Sequence, residues 1–138
     1  MAVIVPLSGD TGFATRESAG GDQVFDSAGL LRRCLDDHEL AKRLVEKFLS
    51  RLAGGIQEIQ GLLMAGDWSQ AASKVHRLRG EAGDLAAVKL HASATDLEDC
   101  LREAGYTKAG SYFDHLKAAA DECLAARPSF LERLAQSR

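Results

Sequence analysis

His76 lies in the segment of this chain whose residue types are best suited to chemistry. It begins the run His76-Arg77-Leu78-Arg79-Gly80. A neutral imidazole nitrogen can attack phosphorus, and a guanidinium group one helical turn away can pair with phosphoryl oxygens. His76 is therefore a candidate phosphoryl acceptor, with Arg79 as its partner.

Two glycines follow His76 at the spacing of a helix face. With about 100° per residue, His76 lies about 130° from the centre of the apolar stripe, so it should face solvent. Helical side chains lean toward the N-terminus, so the residue at i+4 covers residue i. That residue is Gly80, and Gly83 follows it. Each interior glycine costs about 1 kcal/mol relative to alanine. Because neither glycine lies on the apolar stripe, we interpret both as keeping His76 accessible; the alternative is an ordinary surface histidine.

The rest of the chain predicts a helical scaffold for this site. Apolar residues recur at alternating steps of three and four, which indicates long helices over about 37–65, 68–85, 87–104 and 109–126. A short helix capped by Asp26 and Ser27 should precede them, Gly66-Asp67 should form a tight turn, and Pro128 should end the last long helix. Short links favour an all-α, antiparallel up-down-up-down four-helix bundle.

Residues 1–24 differ from this pattern. They contain four glycines and a polar run without periodicity. We interpret them as a flexible tail or linker, and residues 25–138 as the bundle.

Composition excludes several classes of protein. The 138 residues carry a net charge of −3 and an isoelectric point near 5.8, unlike a basic nucleic-acid-binding domain. No run of 18 apolar residues could span a membrane. Cys34, Cys100 and Cys123 lack metal or redox spacing and should be buried thiols in a reducing cytoplasm. No Glu-x-x-His pair or nucleotide-binding glycine loop occurs, so we expect neither a metal site nor a nucleotide site.

Several short motifs resemble the histidine phosphotransfer (HPt) domain family. The run from His76 to Gly80 is similar to its signature His-x-Leu-Lys-Gly, with Arg79 in the place of the lysine. Gly66-Asp67-Trp68 looks like the family's Gly-Asp-Trp turn, and Leu97-Glu98 like its Leu-Glu pair. Val24-Phe25-Asp26 with Leu30-Leu31 is similar to its opening, so the resemblance covers residues 24–126. The chain departs from many members downstream, with Glu81, Asp84 and Ala86 in place of Ser, Asn and Gly.

The resemblance implies a phosphoryl carrier without an autonomous catalytic site. A receiver-domain aspartyl phosphate would pass its phosphoryl group to His76, which would pass it to another response regulator. The implied partners are receiver domains and a hybrid sensor histidine kinase. No cofactor is expected on this chain, since the Mg²⁺ ion belongs to the receiver.

Glu98 is a further candidate by resemblance. The local motif is closest to phosphotransfer domains of chemotaxis kinases, in which a glutamate at this spacing bonds the second imidazole nitrogen. A link near residue 86 would bring residues 95–98 level with His76 in an antiparallel neighbour. A carboxylate there would fix the tautomer of the ring. The alternative is a glutamate on the helix surface.

The predicted partner surface surrounds the histidine. Counting from the turn at Gly66, residue 56 lies opposite residue 76, so Gly54 and Gly55 should help clear a flat docking surface; the alternative is a simple helix bend. Ser73 shares the histidine face. Lys74, Arg77 and Arg79 should form a basic strip that complements an acidic receiver pocket.

A different class of function stays open at this point. A helical bundle could bind receiver domains, or act as an adaptor, without carrying phosphate. The presence of His76 favours the carrier, because a binding module without phosphate would not require the histidine.

Overall fold

A computed structural model describes residues 24–136, and this part of the chain is helical with no strand. Besides a 3₁₀ turn at Tyr106–Lys108, the α-helices are α1 (Ser27–Arg33), α2 (His38–Met64), α3 (Trp68–Asp84), α4 (Val88–Arg102) and α5 (Ala109–Gln136). No helix in this range is long and apolar enough to cross a membrane. The interpretation of residues 1–24 as a tail concerns a segment outside the described residues, apart from Val24, which is buried.

Aspartates start three of the helices. The side chains of Asp26, Asp37 and Asp67 accept hydrogen bonds from the backbone N–H three residues later. Each bond satisfies one of the N–H groups that a helix leaves without a partner in its first turn. The predicted starts of α1, α2 and α3 are confirmed by these caps.

Helices α2, α3 and α4 end with a common geometry, in which one residue has positive φ. Gly66 follows α2 at φ +73°, and its N–H and that of Asp67 bond back to Leu63 and Leu62. Ala86 and Ala104 take the same position after α3 and α4, at φ 58° and 59°. Such an end reverses the chain within three residues. At the end of α4, which stops at Arg102, Ala104 adopts the left-handed conformation and the glycine that follows it does not.

Side-chain pairs between helices establish the antiparallel order. Arg51 on α2 pairs with Glu81 on α3, and Glu58 pairs with Lys74, so the two helices run in opposite directions. Lys89 on α4 pairs with Glu122 on α5. Arg127 and Leu134 on α5 contact Glu46 and His38 on α2. Helices α2 to α5 thus close a four-helix bundle, with α1 packed against its end.

The core of the bundle consists of the apolar stripes that the periodicity predicts. Its largest fully buried side chains include Val45 and Ile59 of α2, Val75 of α3, Leu97 of α4 and Leu116 of α5. Cys34, Cys100 and Cys123 are also buried and free, as expected. Burial raises the pKa of the Cys123 thiol to about 12, so this thiol is not reactive at neutral pH.

The prediction that Pro128 ends the last helix is wrong. Helix α5 continues through Pro128 to Gln136. Beyond the proline, Phe130 and Leu134 are fully buried, the Phe130 ring stacks on Phe25 at 4.2 Å, and the Leu134 carbonyl contacts His38 Nδ1 at 2.6 Å. Proline lacks an N–H group and disfavours a helix interior by about 3 kcal/mol. Burial of two large side chains and these contacts outweigh that local cost.

The positive φ of Ala104 generates a testable prediction. Ala104 is exposed, so Ala104→Gly should relieve the left-handed strain and stabilise the fold by about 0.5–1 kcal/mol in urea unfolding. Ala53→Gly, at an exposed interior position of α2, is the matched control and should destabilise by about 1 kcal/mol. If both variants lost equal amounts of unfolding free energy, the left-handed conformation assigned to Ala104 at the end of α4 would be wrong.

Candidate functional site

His76 projects from the middle of α3 with 64% of its side chain exposed. Its Nδ1 lies 2.9 Å from Oε2 of Glu98 on α4. An ionised carboxylate only accepts hydrogen bonds, so Nδ1 carries the proton of this bond. In the neutral ring, Nε2 is then the nitrogen with a free lone pair, which makes it the more nucleophilic of the two ring nitrogens.

Glu98 is the only charged residue buried among those that the structure describes, with 3% of its side chain exposed. Two guanidinium groups join His76 around its carboxylate. Arg79 Nη1 donates to Oε1 at 2.9 Å, and Arg102 Nε donates to Oε2 at 2.7 Å. Burial raises the pKa of the Glu98 carboxyl. The hydrogen bonds from Arg102, Arg79 and His76 lower this pKa by more than burial raises it, so it lies below its ordinary value of 4.5.

The contact between His76 and Glu98 occurs where the antiparallel register predicts it. The short link after α3 brings Glu98 level with His76, and the interpretation of Glu98 as a surface glutamate is wrong. The carboxylate is buried because Leu97 and Leu101, on either side of it in sequence, are buried in the core. The helix thus presents Glu98 to α3 rather than to solvent.

The two glycines near His76 have different surroundings. Gly80 is exposed, and a Cβ at this position would meet nothing within 4 Å. It therefore leaves the space beside His76 open, as the sequence predicts. A Cβ at Gly83 would instead lie 3.2 Å from Nδ1 of His91 on α4. The prediction that packing does not account for Gly83 is wrong, because a side chain at this position would press on the His91 ring of α4.

The basic residues near His76 do not form one strip. Arg79 turns toward α4 and Glu98. Lys74 turns to the other flank of α3, where its Nζ lies 3.1 Å from Glu58 on α2. Arg77 is exposed and lines the same α2–α3 groove. Ser73 is exposed one turn before His76. The predicted strip is thus divided between the two flanks of the helix.

Gly55 contributes to a shallow groove between α2 and α3. The pairs Arg51–Glu81 and Glu58–Lys74 both fit the register that places residue 56 opposite residue 76, so the glycines lie level with His76. The groove has a volume of about 230 Å³, and Gly55 lines it. Neither Gly54 nor Gly55 has an atom within 4 Å of an added Cβ. Both glycines therefore leave open space on this face.

Sequence reasoning missed three side chains that support the site. Arg102 is four residues after Glu98, a spacing that could have suggested an ion pair on one helix. His91 Nδ1 contacts the Arg79 carbonyl at 3.1 Å. Arg33 of α1 donates to the carbonyls of Gly83 and Asp84 at the end of α3. The last two contacts join residues distant in sequence, and no local pattern signals them.

The arrangement favours addition of an electrophile at Nε2. Bonding at Nε2 while Nδ1 keeps its proton leaves the ring cationic, and the Glu98 carboxylate lies where it stabilises that charge. Arg79 and Arg102 keep the carboxylate ionised. Among residues 24–136, no group of histidine, cysteine or carboxylate side chains is arranged to hold a metal ion.

The paired carboxylate generates a second prediction. Glu98→Gln should lower the free energy of unfolding at pH 7 by about 1–3 kcal/mol, because Arg79 and Arg102 lose their charged partner. Because the pKa of Glu98 is lowered in the folded protein, its contribution is complete above the ordinary carboxyl pKa and declines as the pH falls through the folded-state value. Urea unfolding should show that the difference in unfolding free energy between wild type and Glu98→Gln is smaller at about pH 3 than at pH 7.

The matched control for this variant is Glu122→Gln. Glu122 forms an exposed interhelical pair with Lys89 at 3.0 Å, and exposed pairs contribute less than about 1 kcal/mol. If the two variants lost similar amounts of unfolding free energy, the buried interactions of Glu98 would contribute no more to stability than an exposed ion pair.

Comparison with known families adds one match. The model of the Hpt domain family matches residues 43–126, which include His76, Arg79, Gly80 and Glu98. A search of curated proteins gave no match. A search of solved structures also gave none.

Proposed function

The chain belongs to the Hpt domain family, and we propose that it accepts a phosphoryl group on Nε2 of His76 from a receiver-domain aspartate and passes it to another response regulator. Hpt domains are phosphocarriers of two-component phosphorelays, and they interact with receiver domains and kinases. Donor, acceptor and phosphorylated atom are our proposals for this chain.

The observation that carries this proposal is the hydrogen bond of an exposed imidazole to a buried carboxylate. His76 Nδ1 is bound to Glu98 at 2.9 Å while most of the ring is open to solvent. A histidine that served only to bind a partner would not require a buried carboxylate to orient its ring. This contact favours the carrier over a bundle that binds receivers without taking phosphate.

The proposed step exchanges one bond to phosphorus for another. Nε2 of His76 attacks the phosphorus of the aspartyl phosphate, the N–P bond forms, and the bond from phosphorus to the aspartate oxygen breaks. The receiver regains its carboxylate, and the His76 ring keeps the proton on Nδ1 and becomes cationic. Return transfer to a second receiver reverses these changes, so the chain is left unaltered after each cycle.

We assign the other groups that phosphoryl transfer requires to the receiver domain. The Mg²⁺ ion and the groups that stabilise the transferring phosphoryl oxygens would belong to the receiver, which leaves this chain without a cofactor. The carrier would act in the cytoplasm. The groove between α2 and α3 is lined by Gly55, Lys74 and Arg77, and Ser73 is exposed one turn before His76. We expect the receiver to dock on this side of α3.

His76→Gln tests the acceptor. We expect this variant to fold and to lose all acid-labile label when it is mixed with a receiver domain that has been phosphorylated by radiolabelled acetyl phosphate and Mg²⁺. His115→Gln, at an exposed histidine on α5, is the matched control and should keep full labelling. Label that persists in His76→Gln, or its absence from the wild type with several receivers, would refute the proposal.

Gly80→Leu tests the accessibility of the ring. The position is open, so the variant should fold with helix α3 more stable by about 0.5–1 kcal/mol. The new side chain would lean over His76, and transfer from the receiver should fall at least about tenfold, since a displaced reacting atom costs this much or more. The rate is measured by quenched-flow labelling.

The control for Gly80→Leu is Gly110→Leu. Gly110 also has open space at its Cβ but lies on α5, across the bundle from α3. Its transfer rate should equal that of the wild type. A Gly80→Leu variant with an undiminished rate would show that the glycine does not serve access to His76.

A further inference from the structure

Arg102 differs from the other cations near His76 in the atom that it binds. Its Nε lies 2.7 Å from Glu98 Oε2, the same oxygen that accepts the Nδ1 proton of His76 at 2.9 Å. Arg79 binds the other oxygen, Oε1, at 2.9 Å. The carboxylate is therefore fixed at both oxygens, and Arg102 determines the position of the one that faces the ring.

Neutralisation of buried charge does not by itself explain a second guanidinium. Arg79 already supplies a positive charge to Glu98 through a 2.9 Å contact. Packing does not explain it either, because 57% of the Arg102 side chain is exposed. What the second contact adds is orientation, since an anchor at Oε1 alone leaves the carboxylate free to turn about the bond that joins it to the side chain.

The origin of Arg102 on α4 strengthens this point. Arg102 and Glu98 are one turn apart on the same helix, and the side chain of the later residue leans back over the earlier one. Their contact therefore does not depend on where α3 lies. Arg79, by contrast, shares α3 with His76, so its contact to Glu98 links the two helices. The two arginines bind the carboxylate from different helices.

We propose that Arg102 is a positioning residue that holds Oε2 of Glu98 against Nδ1 of His76 and so keeps Nε2 as the unprotonated, nucleophilic nitrogen. This inference rests on the proposed transfer function for its effect on rate. Its effect on the tautomer is a property of the unphosphorylated protein. Neutral histidine exchanges its proton between the two nitrogens, and the hydrogen bond at one nitrogen determines which tautomer dominates.

The test combines a spectroscopic signal with a rate. In the wild type, ¹⁵N NMR shifts of the neutral His76 ring should report the Nδ1-protonated tautomer as the dominant form. Arg102→Met keeps the length of the side chain without its donors. We expect it to lower the Nδ1-protonated fraction and to slow transfer from a phosphorylated receiver about three- to tenfold, which corresponds to loss of one hydrogen bond of ordinary net strength.

Two further variants make the result specific. Arg102→Lys restores the charge and a donor but not the planar fork, and both measurements should lie between those of Arg102→Met and the wild type. Lys89→Met removes an exposed α4 cation whose partner is Glu122, and neither the tautomer nor the rate should change. Because Arg102 is exposed and at the end of α4, its substitution should leave the bundle folded.

The outcomes separate this inference from the proposed function. An unchanged tautomer in Arg102→Met overturns the positioning role, whatever happens to the rate. If the tautomer shifts in Arg102→Met but the transfer rate does not change, Arg102 is not important for transfer. If the wild type accepts no phosphoryl group, the proposed function fails, and the tautomer comparison still decides whether Arg102 positions Glu98.

Discussion

The site depends on one ionised carboxylate held between two helices. Removing a carboxylate from water costs several kcal/mol unless hydrogen bonds and opposite charges replace the solvent. Glu98 has such replacements from Arg79, Arg102 and His76. His76 and Arg79 reach it from α3, so these two contacts require α3 and α4 to keep one register and one separation. The three-residue link between these helices sets the register, and the His91 ring of α4 packs on Gly83 of α3.

Much of this arrangement could be predicted from local patterns. The apolar period identifies the faces that pack, Asp26, Asp37 and Asp67 identify where helices begin, and Gly66 marks a reversal of the chain. A short link between consecutive helices then requires an antiparallel register, which brings Glu98 level with His76. These steps succeed because each depends on contacts within a few residues or on the length of a link.

The failures come from contacts between residues far apart in sequence. Local propensity predicts a break at Pro128, but the burial of Phe130 and its stacking on Phe25 carry α5 through it. Gly83 resembles Gly80 in sequence, yet it faces His91, which no spacing on α3 reveals. The basic residues follow one another along α3, but the positions of Glu58 and Glu98 on its two neighbours draw Lys74 and Arg79 apart.

The division between the two flanks of α3 has a consequence for divergence of such domains. The groove on one flank is formed with α2, whereas the carboxylate and its arginines lie on the other flank with α4. Substitutions on α2 can therefore alter the surface beside His76 without touching the groups that orient its ring. Gene duplication followed by changes on α2 would give paralogues that recognise different partners but keep the same groups around the His76 ring.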